Sequence, residues 1–106
     1  MANKTRSGTG GEKGSSDSGD LHTRKAVITG QLGLHARPAA RFVKLAVSFE
    51  SVIEVTANGV TVSGGSIMGL MMLGAGDGTE LLLTAIGPDA EVALDALEGL
   101  VAQGFA

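Results

Sequence analysis

Residues 33–40 read Gly-Leu-His-Ala-Arg-Pro-Ala-Ala and place a histidine directly before a predicted helix. Pro38 fits a helix only in the first turn, so the helix must begin near His35 to Arg37. The backbone amides of Ala36 and Arg37 would then lack helical partners and, with the helix dipole, would favour an anion such as phosphate. The Arg37 guanidinium can hold two phosphate oxygens. His35 is therefore a candidate phosphoryl acceptor, although a histidine that only caps the helix or lies at the surface would look similar.

Ser66 is the second residue whose position suggests chemistry. It precedes the apolar run 67–73, and Gly74 follows that run. Serine is a preferred N-cap and glycine commonly ends helices, so the pattern predicts a short helix that starts at Ser66. A phosphate on Ser66 would be tolerated at the helix N-terminus, and its charge of about −2 would repel an acidic partner. A serine that only caps the helix is the simpler alternative.

Composition excludes several other chemistries. The chain has no cysteine, which rules out disulfides, thiol catalysis and cysteine-ligated metals. Two histidines without metal-ligand spacing argue against a zinc site. The absence of Tyr and Trp and a net charge of −3 argue against nucleic-acid binding. No apolar run is long enough for a signal peptide or a membrane span, so we expect a cytoplasmic protein without membrane insertion.

Charge is unevenly distributed after the first 20 residues. Eight acidic residues and no Lys or Arg occur from Glu50 onward. Part of the surface should therefore be positive and steer an acidic partner or hold an anion, unless it is simply a solvated face. The basic residues all precede residue 45: Arg24, Lys25, Arg37, Arg41 and Lys44.

The 106 residues suffice for one small domain. Residues 1–20 contain five glycines and four serines and are predicted to form a disordered tail. Residues 21–106 are predicted to form the folded domain.

Hydrophobic periodicity within that domain predicts the order β-α-β-β-α-β-α. Strands are predicted over 23–29, 52–57, 60–62 and 80–86, with a glycine-bounded loop over 30–33 and a tight Asn58-Gly59 turn. Helices are predicted up to Phe49, over 67–73 and from Pro88 onward. This order favours an α+β fold with an antiparallel sheet and helices on one face, while the strand order stays open.

Apolar spacing also predicts which helix residues face the core. Asp95 and Glu98 are expected to face water. The short second helix has no polar face, so some of its apolar side chains must be exposed. The inward-facing positions are Ala39, Phe42, Val43, Ala46, Val47 and Phe49 in the first helix, and Val92, Ala93, Ala96, Leu97, Leu100 and Val101 in the last.

Residues 33–39 and 66–71 together resemble the active-site and regulatory-serine motifs of HPr, the histidine-containing phosphocarrier of the phosphoenolpyruvate-dependent phosphotransferase system (PTS). The resemblance extends over residues 21–106. It implies an open-faced sandwich in which a four-stranded antiparallel sheet is covered on one face by three helices.

The resemblance also implies a function. His35 would accept a phosphoryl group on Nδ1 from phospho-Enzyme I, whose donor is phosphoenolpyruvate, and pass it to a histidine of an EIIA-type protein. Arg37 would contact the phosphoryl group. Such a protein is a carrier rather than an enzyme, and it needs neither a cofactor nor a metal.

Further residues acquire expected roles from the same resemblance. Ser66 would be the target of an HPr kinase/phosphorylase, although Gly64-Gly65 stand where bulkier residues are expected. We also expect a monomer. Partners would dock on Arg41, Lys44, Ile67, Met68, Leu70 and Met71.

Other functions remain open at this stage. The acidic second half would suit a regulatory binding module of a nitrogen-type or regulatory PTS branch, which acts through phosphorylation-dependent contacts rather than sugar uptake. A small-ligand-binding domain of ferredoxin-like type would not need its histidine. An autonomous phosphatase or transferase would need a second catalytic group near His35, and the sequence offers none.

Overall fold

A computed structural model of the chain describes residues 21–29 and 35–105. The predicted tail (1–20) and the predicted loop (30–33) lie outside the described residues, as do Leu34 and Ala106. The predicted element order is confirmed, and β2 and β4 have the predicted bounds. The elements are β1 (Leu21–Val27), α1 (Ala36–Ala46), β2 (Val52–Ala57), β3 (Val60–Ser63), α2 (Ile67–Met72), β4 (Glu80–Ile86) and α3 (Ala90–Ala102).

The four strands form one antiparallel sheet in the order β1-β4-β2-β3. The first strand of the domain therefore pairs with the last, with Leu21 opposite Ile86. Burial alternates along β4, where Leu81, Leu83 and Ala85 are buried while the intervening residues are more exposed. One face of the sheet thus packs on the helices and the other remains open, which confirms the predicted α+β open-faced fold.

The core lies between the inner face of the sheet and the three helices. Phe42 of α1, Leu70 of α2 and Leu97 of α3 are almost completely buried within it. Helices amphipathic in sequence thus pack their apolar stripes on a sheet whose inner residues are Val, Leu, Ile and Ala.

Two predicted core positions are wrong. Val47 is 62% exposed because α1 ends at Ala46 instead of continuing to Phe49. The last turn closes through tighter bonds, with the Ser48 and Phe49 amides donating to the carbonyls of Leu45 and Ala46. Val92 is 60% exposed, since α3 turns Leu94 inward instead.

None of the described helices combines the length and the apolar content that a bilayer span requires.

Candidate functional site

His35 is the N-cap residue of α1 and has an extended backbone, with φ −98° and ψ −174°. Its carbonyl accepts the amide of Ala39 at 2.9 Å, so the main chain of His35 already belongs to the helix. Its side chain is exposed and makes no capping hydrogen bond among the described residues. The imidazole is therefore held at the helix N-terminus but is not engaged there.

The first turn of α1 is suited to an anion. Ala36 and Arg37 occupy its first two positions and are exposed, and no carbonyl of the helix can accept their amide protons. Pro38 follows at the third position, where its lack of an N–H removes a donor that the helix could not use. The first turn contains no acidic residue. Two amides and the helix dipole thus lie next to His35, and Arg37 adds a cation in the same turn.

Ser66 is the N-cap residue of α2, as predicted. Its Oγ accepts the amide of Gly69 at 2.9 Å, and its carbonyl accepts the amide of Leu70 at 3.0 Å. The residue is half-buried. The hydroxyl oxygen that a kinase would modify is therefore also the atom that caps the helix.

Gly64 and Gly65, which precede Ser66, differ in what the fold demands of them. A Cβ at residue 64 would lie 2.7 Å from Ile53 Cγ2 on the neighbouring strand, which excludes any other residue without a shift. A Cβ at residue 65 would make ordinary contacts, the nearest at 3.5 Å to Val47 Cγ1. The first glycine is therefore explained by packing in this chain, while nothing in the structure explains the second.

An exposed apolar surface lies next to Ser66, and we call it the methionine face. Met68 and Met72 are both 74% exposed, and Ile67 and Met71 are also exposed. Val47 extends this surface from the end of α1. Leu70, predicted to dock partners, is only 1% exposed; that prediction is wrong, because Leu70 lies on the inner side of α2.

Two members of the methionine face were not among the predicted docking residues. Met72 could have been found, since the apolar run 67–73 leaves no polar side on a six-residue helix. Val47 could not, because its spacing from Val43 is the same as that of a core residue.

The positive part of the surface is smaller than the sequence suggested. The Arg24 guanidinium donates to Asp95 at 2.6 Å and to Glu98 at 2.9 Å. These hydrogen bonds raise the pKa of Arg24 above its ordinary value. Arg24 is thus neutralised by α3, and the two acids that were expected only to face water bind it, although both are substantially exposed.

The cations of α1 form what we call the basic ridge: Arg37, Arg41 and Lys44. Their spacing of four and three residues places them along one outer side of the helix, and all three are exposed. Among the described residues none of the three forms a salt bridge with a carboxylate. The ridge begins beside His35 and leads away from it along α1.

Comparison with known proteins agrees with these features. Residues 22–103 match the family model described as PTS-HPr, the PTS HPr component phosphorylation site. The chain belongs to the HPr family. Its members are phosphocarrier proteins of the phosphotransferase system, and the match covers both the His35 and the Ser66 motif.

Individual HPr proteins are similar over most of their length. The phosphocarrier protein HPr of Cupriavidus necator is 45% identical over 82 residues, which cover 77% of this chain and 92% of that protein. The crystal structure of HPr-C-His from Thermoanaerobacter tengcongensis superposes with a TM-score of 0.75 at 42% identity, covering 79% of this chain and 94% of the other. A crystal structure of an HPr dimer from the same organism has a TM-score of 0.64 at 44% identity, covering 74% of this chain and 91% of that one.

Proposed function

We propose that this chain is a phosphoryl carrier that accepts a phosphoryl group on His35 Nδ1 from phospho-Enzyme I and passes it to a histidine of an EIIA-type protein. The observation that carries the proposal is the exposed His35 side chain, which caps nothing among the described residues, at a helix start whose first-turn amides have no partner within the helix and whose second residue is Arg37. Phosphoenolpyruvate is the donor of such a relay, which places the protein in the cytoplasm. The carrier domain comprises residues 21–106 and acts as a monomer.

The transfer exchanges one phosphorus–nitrogen bond for another. The lone pair of His35 Nδ1 forms a bond to phosphorus, while the bond to the donor histidine breaks and its electron pair returns to the donor ring. No water or metal enters this step. The chain's contribution is to place the nucleophile and to stabilise the phosphoryl oxygens through Arg37 and the amides of Ala36 and Arg37. It supplies no complete catalytic cycle of its own and therefore acts as a carrier and not as an enzyme.

The methionine face and the basic ridge form the proposed docking surface for both partners. Ile67, Met68 and Met71 supply flexible apolar contacts that can adapt to two different proteins in turn. Arg41 and Lys44 attract an acidic partner and raise the rate of encounter. Leu70 supports α2 from within and does not take part.

Ser66 is the proposed regulatory site, modified by a kinase of the HPr kinase/phosphorylase type. A phosphate on its Oγ would meet the first-turn amides of α2, so the fold would tolerate it. The added charge would lie beside exposed Ile67 and Met68 and would oppose the docking of an acidic partner.

Intact-mass spectrometry at neutral pH tests the proposal, after incubation with Enzyme I, magnesium and phosphoenolpyruvate. We expect a gain of one phosphoryl group that mild acid removes. The His35→Ala variant should show no gain, while Ser66→Ala, the matched control at the other helix N-terminus, should still be labelled.

Labelling of His35→Ala would contradict the assignment of the acceptor. The absence of any gain with the cognate Enzyme I would contradict the relay itself and favour a regulatory binding module.

A further inference from the structure

A groove of about 650 Å³ lies between α1 and α3. Arg41, Lys44 and Ser48 line it from α1 and its final turn, and Leu45 and Leu100 provide the apolar part of the lining. The two leucines are half-buried and pack against the core. The groove therefore has a fixed apolar floor and an exposed basic rim.

Both charged side chains that line the groove are cations, and two of the acids of α3 are engaged elsewhere. Asp95 and Glu98 bind Arg24 of β1. Asp89, at the start of α3, accepts the backbone amides of Glu50 and Ser51, both at 2.9 Å. No described carboxylate pairs with the two cations of the rim, so these cations remain available to a partner.

On the α3 side, an uncharged residue precedes the leucine that lines the groove. Gly99 precedes Leu100 inside the helix, where glycine is less stable than alanine. A Cβ at residue 99 would meet no atom within 4 Å, so no neighbour in the described part of the chain requires a glycine there. The surface beside Gly99 is therefore open.

We propose that this groove docks an acidic amphipathic segment of a partner protein. One apolar side chain of the segment would lie between Leu45 and Leu100, and flanking carboxylates would bind Arg41 and Lys44. An apolar centre with complementary charge at the rim is the usual construction of a protein interface. The inference rests in part on the proposed function, because Arg41 and Lys44 also belong to the proposed docking surface of the relay partners, and it goes beyond that function by giving Leu45 and Leu100 a role in binding.

Nuclear magnetic resonance titration of the full ¹⁵N-labelled chain tests the proposal with a synthetic helical peptide of glutamates and leucines. We expect the amide signals of Leu45, Ser48 and Leu100 to shift. A control peptide with glutamine in place of glutamate should bind about tenfold more weakly. Added salt should weaken the binding of the acidic peptide but not that of the control peptide.

Shifts confined to α2, or no shifts, would overturn the proposal. Larger shifts of the same amides with vesicles of an anionic phospholipid would overturn it in favour of a membrane surface. Shifts that depend on protein concentration without any peptide would overturn it in favour of a second copy of the chain.

Two substitutions test the groove, and the second of them also separates it from the relay. Ser48→Glu adds a negative charge at an exposed position and should weaken the binding of the acidic peptide roughly fivefold. Ser48→Gln, which has a side chain of the same size, should leave this binding unchanged. Leu100→Gln removes part of the apolar floor and should weaken the binding of both peptides. Thermal unfolding of this variant checks that it still folds. Leu100→Gln leaves the charges of the basic ridge unchanged and should accept phosphate from Enzyme I at the wild-type rate. Unchanged peptide binding by Ser48→Glu would contradict only the proposal that the groove is a docking site. Failure of the wild-type chain to accept phosphate would contradict only the proposed relay.

Discussion

The N-termini of α1 and α2 present the same backbone groups in opposite states. At α1, His35 is exposed and its side chain caps nothing among the described residues, while Arg37 adds a cation in the first turn of the helix. At α2, Ser66 is half-buried and its Oγ accepts the amide of Gly69. The first terminus is open to an incoming anion, and the second is already satisfied from within.

This difference gives the two proposed phosphorylation sites different consequences. A phosphoryl group on His35 would meet first-turn amides that have no partner in the helix, and it would break no described side-chain hydrogen bond. A phosphate on Ser66 would take over a hydrogen bond that the helix already uses, so it would change the surface more than the fold. A transient relay suits the first arrangement, and a lasting regulatory mark suits the second.

The N-terminus of α3 offers a third arrangement. Asp89 is its N-cap residue but makes no capping hydrogen bond to its own helix. Its carboxylate instead accepts the amides of Glu50 and Ser51 and the Ser51 hydroxyl, which ties the segment before β2 to the start of α3. These hydrogen bonds hold the pKa of Asp89 below its ordinary value, and the one from the Ser51 side chain contributes most.

Removal of the cation at the open terminus should have the largest effect. Arg37→Ala should slow phosphoryl transfer from Enzyme I about a hundredfold, because it removes a donor aimed at the phosphoryl oxygens. Arg41→Ala, one turn further along the same ridge, is the matched control and should slow the transfer less. Rapid-quench measurement of the transfer rate distinguishes them, and equal losses would mean that only the overall charge of the ridge matters.

A negative charge at the satisfied terminus should have the next largest effect. Ser66→Asp should accept phosphate from Enzyme I roughly tenfold more slowly than wild type, because the carboxylate repels an acidic partner beside the methionine face. Ser66→Asn provides a neutral control that can still cap α2. The transfer rates of the two variants should converge at high salt. Equal rates at low salt would remove electrostatic repulsion as the mechanism.

Replacement of the two N-cap residues, Ser66 and His35, by alanine should change the free energy of unfolding by different amounts. Ser66→Ala should lower the free energy of unfolding by about 1 kcal/mol, because the amide of Gly69 loses its partner. His35→Ala should change it by less than about 0.5 kcal/mol, since no described hydrogen bond is lost. Urea unfolding followed by circular dichroism measures both. A comparable loss for His35→Ala would show that the imidazole also serves the fold.

Asp89→Asn should have a pH-dependent effect on stability. The folded pKa of Asp89 lies below the ordinary value of 3.8, so its stabilising contribution is fully present above that value. The contribution is lost as the pH falls through the lower, folded pKa. The variant should therefore be less stable than wild type at neutral pH, and the gap should narrow in acid. Parallel stability curves in urea from pH 7 to pH 2 would show that this carboxylate is not the group that titrates.

Local patterns in the sequence were sufficient for the order of the elements and for the positions of His35 and Ser66 at helix N-termini. The alternation in 52–57 and 80–86 predicted the bounds of β2 and β4, and the Asn58-Gly59 turn predicted the hairpin. Pro38 located the start of α1 and therefore the position of His35. These features depend on interactions between residues close in sequence, which spacing and residue type describe well.

Tertiary structure alone decided what depends on distant partners. The pairing of β1 with β4, the neutralisation of Arg24 by α3, and the attachment of Asp89 to the segment before β2 all join residues 38 or more positions apart. The burial of Leu70 and the exposure of Val47 likewise depend on where α1 ends and how α2 lies on the core. Periodicity shows that a side chain is apolar and on which side of its element it lies. Only the packing of the elements determines what that side meets.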